Sequence, residues 1–206
     1  KPVVSTAVLR LAEQGKISLD DKISKYFPEM QDMLVAPGGS YETTLEPARE
    51  EITLRHLISH TSGLTYQTNV TGVGEVAQQY DEFGVMACFS GDGPEGRKIS
   101  SLAEEVAFLA QLPLIDHPGE SWNYSVGIDV LGAVIEQVTG MRLSAYLESE
   151  IFAPLGMFRT GFEISPEMSK NASELYFAAT PAQLAEYDFE GSIDWKILPA
   201  GGGIAG

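Results

Sequence analysis

The sequence has 206 residues, 44% of them hydrophobic and 20% charged, an ordinary globular composition. Its length suits one or two domains that bury roughly 70% of their unfolded surface without covalent staples. The formal net charge of -16 repels polyanions and sets aside nucleic acid and acidic membranes as partners. No apolar run approaches the ~18 residues of a membrane-crossing helix, and a single cysteine, Cys88, excludes an internal disulfide.

The chain opens in a helical pattern. Val3, Val4, Ala7, Val8, Leu11 and Ala12 form one apolar stripe that predicts a helix over 2–14, with Pro2 in its first turn and Gly15 as its stop. "LDDKISKYFPEM" predicts a short helix halted by Pro28, and residues 36–51, rich in Gly, Pro and Glu, predict a loop. Thr53 is placed to cap "LRHLISH", which ends at "TSG". Residues 65–98 show the least regular pattern. Ser100 is expected to cap "SLAEEVAFLAQL", with Glu104 near the capping-box position. Val130, Leu131, Val134, Ile135 and Val138 mark a buried helix closed by Gly140, and "RLSAYLESEIF" one more, stopped by Pro154. "RTGFEI", "ELYFAAT" and "SIDWKILP" read as short strands. Too few to close a sheet alone, they imply a partner in further chain. The first residue, inside a helical pattern, and the last, inside "GGGIAG", suggest a segment of a longer protein.

Several motifs lead nowhere. "GDGPEGRK" at 91–98 resembles a phosphate loop, but Arg97 and Lys98 stand where Lys and a hydroxyl residue are required, so it reads as a surface loop. His56 and His60 have zinc-ligand spacing, yet no Glu follows His56 as in a zinc protease, and His117 sits in a turn. The expectation is no metal and no cofactor. Asn69, Asn123 and Asn171 open glycosylation triplets, which matter only in a secreted protein. No Gly-x-Ser-x-Gly occurs, so no nucleophile elbow lies within the sequence.

Two residues remain. Lys1 opens an amphipathic helix, at the end where the helix dipole opposes a cation, a place that suits a lysine handling protons. Tyr124 stands in "DHPGESWNYSVGIDVLG", between a turn and a buried helix. A phenol beside an ammonium is equally suited to proton transfer. Each position has a plain structural reading as well: a chain start, and a half-buried aromatic before a helix.

Taken together, four stretches resemble the serine β-lactamase and penicillin-binding-protein superfamily, on its class C side, including family VIII carboxylesterases and related transesterases. They are "KPVVSTAVLRLAEQGKISLDDKISKYFPEM", "ITLRHLISHTSGL", "PGESWNYSVGIDVLGAVIEQVTG" and "IFAPLGMFRTGF", and they occur in the family's order. The tail "PAGGGIAG" resembles the Gly-rich turn that follows. The resemblance implies an α+β fold of the β-lactamase/transpeptidase type, here a helix-rich segment with a few short strands, cut at both ends. Residues 1–160 would form the helical domain, with the active-site helix at its start, and 161–206 the beginning of the return into the α/β domain.

The resemblance also implies chemistry. Lys1 matches the family's lysine one helical turn after the nucleophilic serine, and Tyr124 its catalytic tyrosine. The serine would lie three residues before Lys1, on the same helix face, so the segment alone should be inactive. Val126 occupies the position where penicillin-recognising members carry Asn, and a valine offers substrate no amide. This favours a small-molecule carboxylic ester, by hydrolysis or transesterification, over the amide chemistry of a β-lactamase or D-Ala-D-Ala peptidase. The family's Lys-Thr-Gly motif does not occur in the sequence. A non-catalytic relative that keeps the fold to bind a peptide, glycan or protein is the rival from another class.

Overall fold

The computed structural model describes residues 1–68, 71–83, 99, 101–162 and 168. The phosphate-loop look-alike, Cys88, Asn69, Asn171, the last two residues of "RTGFEI", the two later strand segments and the Gly-rich tail lie outside them.

Helix α1, Pro2–Glu13, buries Val4, Ala7, Val8 and Leu11, the i, i+3, i+4, i+7 set that puts four apolar side chains on one face. It ends where Gly15 turns at φ +69°. The Gly15 N–H reaches the Ala12 carbonyl and the Lys16 N–H the Leu11 carbonyl, satisfying the last turn.

"LDDKISKYFPEM" is not one helix but two 3-10 turns, Ile23–Lys25 and Pro28–Met30. The backbone here bonds elsewhere. Ile23 N–H donates to Ile52 (2.8 Å), and Asp21 and Leu19 accept from Leu54 and Arg55. A continuous helix would have to surrender these bonds. The loop expected over 36–51 is interrupted by a short strand, β2 (Glu46–Pro47), antiparallel to β1 (Leu34–Val35), with Leu34 opposite Pro47 and Val35 opposite Glu46.

Thr53 caps α2, Leu54–Ile58, as expected. Its side chain accepts from the His56 N–H, and the His56 ring accepts from the Thr53 N–H. Within the segment read as irregular lies α3, Gly74–Phe83, whose Val76, Ala77 and Tyr80 are fully buried. Helix α4, Leu102–Leu109, is capped by Ser101 rather than Ser100. The Ser101 hydroxyl accepts from the Glu104 N–H at 3.1 Å.

Helix α5, Gly127–Thr139, is the centre of the molecule. Every residue from Gly127 to Ile135 is buried, and α1, α2, α4 and α6 (Leu143–Leu147) pack around it. Ile128, Val130, Leu131, Val134 and Ile135 give it the apolar surface that belongs inside. The last predicted helix passes from α6 into a π-turn, Glu148–Phe152, where the Ala153 N–H reaches back to Glu148 before Pro154 ends the run. Buried side chains from Val4 to Phe152 make one hydrophobic core. Among the described residues, no helix is long and apolar enough to cross a membrane.

Candidate active site

Two loops meet above the N-terminal end of α5. One runs from His60 to Gln67 after α2; the other runs from Leu114 to Val126. Four backbone bonds lace them: Ile115 N–H to Gly63 O (2.8 Å), Gly119 to Thr61 (2.7 Å), Asn123 to His60 (2.8 Å) and Val126 to Thr65 (3.2 Å). The approach is so close that a Cβ on Gly63 would stand 2.1 Å from the Asp116 carbonyl oxygen.

The lacing brings Tyr66 and Tyr124 together, with ring centroids 5.0 Å apart. Lys1, at the N-cap of α1, completes the group. Its Nζ donates to the Tyr66 hydroxyl at 2.5 Å and lies 4.9 Å from the Tyr124 ring centroid and 5.0 Å from that of Tyr66. The two residues singled out by sequence, 123 positions apart, therefore share one site. Tyr66 was not singled out, although it stands two residues beyond the quoted "HTSGL". Val126 lies beside the site but is wholly buried.

Further aromatics surround Tyr124. The His60 ring lies 5.0 Å from it, centroid to centroid, and Trp122, 66% exposed, stacks at 6.4 Å. Burial, and then the charge of Lys1, hold the His60 imidazole below its ordinary value. A neutral ring is the form in which a nitrogen accepts a hydrogen bond. Behind Tyr66, the fully buried Tyr80 bonds the backbone of Thr65. Glu105 of α4 and Asp129 of α5 are also buried. Desolvation, and then the neighbouring Asp129, push the Glu105 carboxyl well above the usual carboxylate range.

The three histidines stand in three separate settings. His56 closes the α2 capping box. His60 faces Tyr124. His117, 5% exposed, bonds Glu46 at 2.8 Å and accepts from the Arg49 N–H, tying β2 to the second loop. The zinc-like spacing of His56 and His60 thus reflects two different structural duties. The Asn123 side chain donates to Asp116 at 2.8 Å.

Lys1 against two phenols, one buried and one half-buried, sets side by side three groups that can each donate a proton, or accept one when deprotonated. The sequence profile of the beta-lactamase family matches residues 1–206. The chain belongs to the beta-lactamase family. It is 40% identical over 162 residues to Esterase EstB of Burkholderia gladioli, covering 79% of this chain and 36% of that protein. It is 30% identical over 172 residues to the monacolin J acid methylbutanoyltransferase of Aspergillus terreus, covering 82% and 38%. Among solved structures, EstCE1, a hydrolase with promiscuous acyltransferase activity, superposes with a TM-score of 0.60 at 33% identity, covering 81% of this chain and 39% of that one. The fold is the β-lactamase/transpeptidase type anticipated from the motifs. This beta-lactamase-family chain spans well under half the length of these relatives.

Proposed function

We propose that the complete protein is a serine acyl hydrolase or acyltransferase acting on carboxylic esters, with Lys1 and Tyr124 as its proton-transfer groups. The observation that carries this reading is the meeting of Lys1 Nζ with the Tyr66 hydroxyl and the Tyr124 ring, in a family whose relatives here include a named esterase and a named acyltransferase.

In this reading the nucleophile is a serine three residues before Lys1, one turn away on the same helix face. Its hydroxyl attacks the ester carbonyl while the Lys1–Tyr124 pair takes the hydroxyl proton. That proton is given to the departing alkoxide as the tetrahedral intermediate collapses to an acyl-serine. Water, or a second alcohol, then attacks the acyl-serine, giving its proton to the same pair, which returns it to the serine oxygen as the free acid or new ester departs. Tyr66 accepts from Lys1 Nζ and so fixes where the amine points. The ester preference is supported by the named esterase and acyltransferase among the relatives, since the Val126 side chain is buried in the core and offers substrate no contact.

Tyr124→Phe in the complete protein tests the assignment. The turnover of a p-nitrophenyl ester should fall by about 10²-fold or more if the phenol moves protons. A rate equal to the parent's removes Tyr124 from the mechanism.

A further inference from the structure

His60 holds Tyr124 from both sides. Its backbone carbonyl accepts from the Asn123 N–H at 2.8 Å. Its ring Nδ1 accepts from the Ser125 N–H at 3.3 Å and faces the Ser125 hydroxyl at 3.2 Å. That hydroxyl in turn accepts from the Gly127 N–H, in the first turn of α5. The residues before and after Tyr124 are therefore both tied to one histidine, and the imidazole packs against the Tyr124 ring between them.

His60 is also the only non-glycine residue with positive φ among the described residues, at +58°. A side chain adopts that conformation only where its surroundings over-determine it, and such strain gathers at functional sites. Here the surroundings are on view. The turn that ends α2 swings the imidazole under Tyr124, and Thr61 and Gly63 continue the lacing beyond it. Trp122 stands beside both rings, edge-on to His60 at 6.2 Å and stacked on Tyr124 at 6.4 Å. The lowered proton affinity of His60 keeps Nδ1 available as an acceptor at neutral pH.

We infer that His60 is a positioning residue that clamps the Asn123–Ser125 segment, so that the Tyr124 phenol is fixed against Lys1 for proton transfer. The inference rests on the catalytic role proposed for Tyr124 and goes beyond it. Histidine is required here for its Nδ1 acceptor and its flat face, not for a proton of its own. Asparagine tolerates the left-handed backbone and carries an acceptor one bond beyond Cγ, as histidine does. It should therefore restore the hydrogen bonds that alanine loses.

The test is a double-mutant cycle in the complete protein, with His60→Ala, His60→Asn, Tyr124→Phe and the His60→Ala/Tyr124→Phe pair. Steady-state kinetics on a p-nitrophenyl ester give kcat and KM separately. His60→Ala should lower kcat at least about 10-fold with KM within about twofold, because the loss lies in the transition state. His60→Asn should return kcat to within about threefold of the parent. In the Tyr124→Phe background, His60→Ala should cost less than about threefold, since the group it positions is already gone. Should the His60→Ala protein fail to fold, Ser125→Ala gives the same reading. It cuts the hydroxyl's links to His60 and to the Gly127 N–H, keeps the Ser125 N–H bond to Nδ1, and should lower kcat about threefold in the parent and not in Tyr124→Phe. Equal losses with and without the Tyr124 hydroxyl overturn the clamp while leaving the proposed function intact. So does a His60→Ala protein as active as the parent. A Tyr124→Phe protein as active as the parent overturns the proposed function, and the clamp with it.

Discussion

Gly63→Ala should damage both stability and activity, and the structure separates its causes. Gly63 has φ +79°, and an added Cβ would lie 2.1 Å from the Asp116 carbonyl oxygen and 3.1 Å from the Leu114 Cβ. The left-handed backbone alone costs an alanine about 1–2 kcal/mol. The overlap with the carbonyl is with backbone, not with a flexible side chain, so the two loops must part. Parting them breaks the 2.8 Å bond from Ile115 N–H to Gly63 O, worth about 1 kcal/mol net. The total is about 3 kcal/mol or more once the displaced packing is included. Gly15→Ala is the control. Gly15 has φ +69° but open space around its Cβ direction, so it should lose only the conformational part, about 1–2 kcal/mol. Urea denaturation of the two variants measures the difference, and ester turnover reads the consequence for Tyr124. Gly63→Ala should be the less stable by about 1–2 kcal/mol and should lose activity, whereas Gly15→Ala should keep it. Equal stabilities, with equal activity, would refute the claim that the lacing of these loops builds the site.

Two other outcomes can be checked alongside. The Glu105 carboxyl has its proton affinity raised by folding. Its contribution to stability is therefore complete below the ordinary carboxylate range and is lost as pH rises through the raised value. Glu105→Gln should match the parent near pH 4 and become progressively the more stable of the two toward alkaline pH; denaturation curves that stay parallel across that range would contradict the assignment. Ser101→Ala removes the acceptor of the Glu104 N–H at the start of α4 and should cost about 1 kcal/mol, read as a shift in the urea midpoint at constant slope.

The sequence carried the helices that bury a face and little of what holds the site. Helices α1 and α5 were legible because their apolar residues repeat at helical spacing and Gly15 and Gly140 stop them. Helix α3 was not, because only Val76, Ala77 and Tyr80 mark its buried face, amid glycine and polar residues. The helix expected around Ile23 failed for a non-local reason: its backbone bonds go to residues 52–55, some thirty positions away. Lys1 and Tyr124 stood out by chemical type and by resemblance, and the fold brings them within 5 Å of one another. Tyr66 and His60 were missed because nothing in their local spacing reveals that they meet Lys1 and Tyr124. The spacing of His60 from His56, with no Glu after His56, argues against a metal site and says nothing of its partners, Asn123 and Ser125. Contacts more than 50 residues apart in sequence decide the site, and local pattern carries no trace of them.

The central claim is an acyl-serine mechanism served by Lys1 and Tyr124. The most direct measurement is fluorophosphonate labelling of the complete protein, followed by mass spectrometry of the labelled peptide. The account predicts a single modified serine three residues before Lys1, with labelling slowed in the Tyr124→Phe protein. A folded protein that takes no label, or takes it on another serine, would contradict it, and the unlabelled case would mark a beta-lactamase-family fold kept for binding alone.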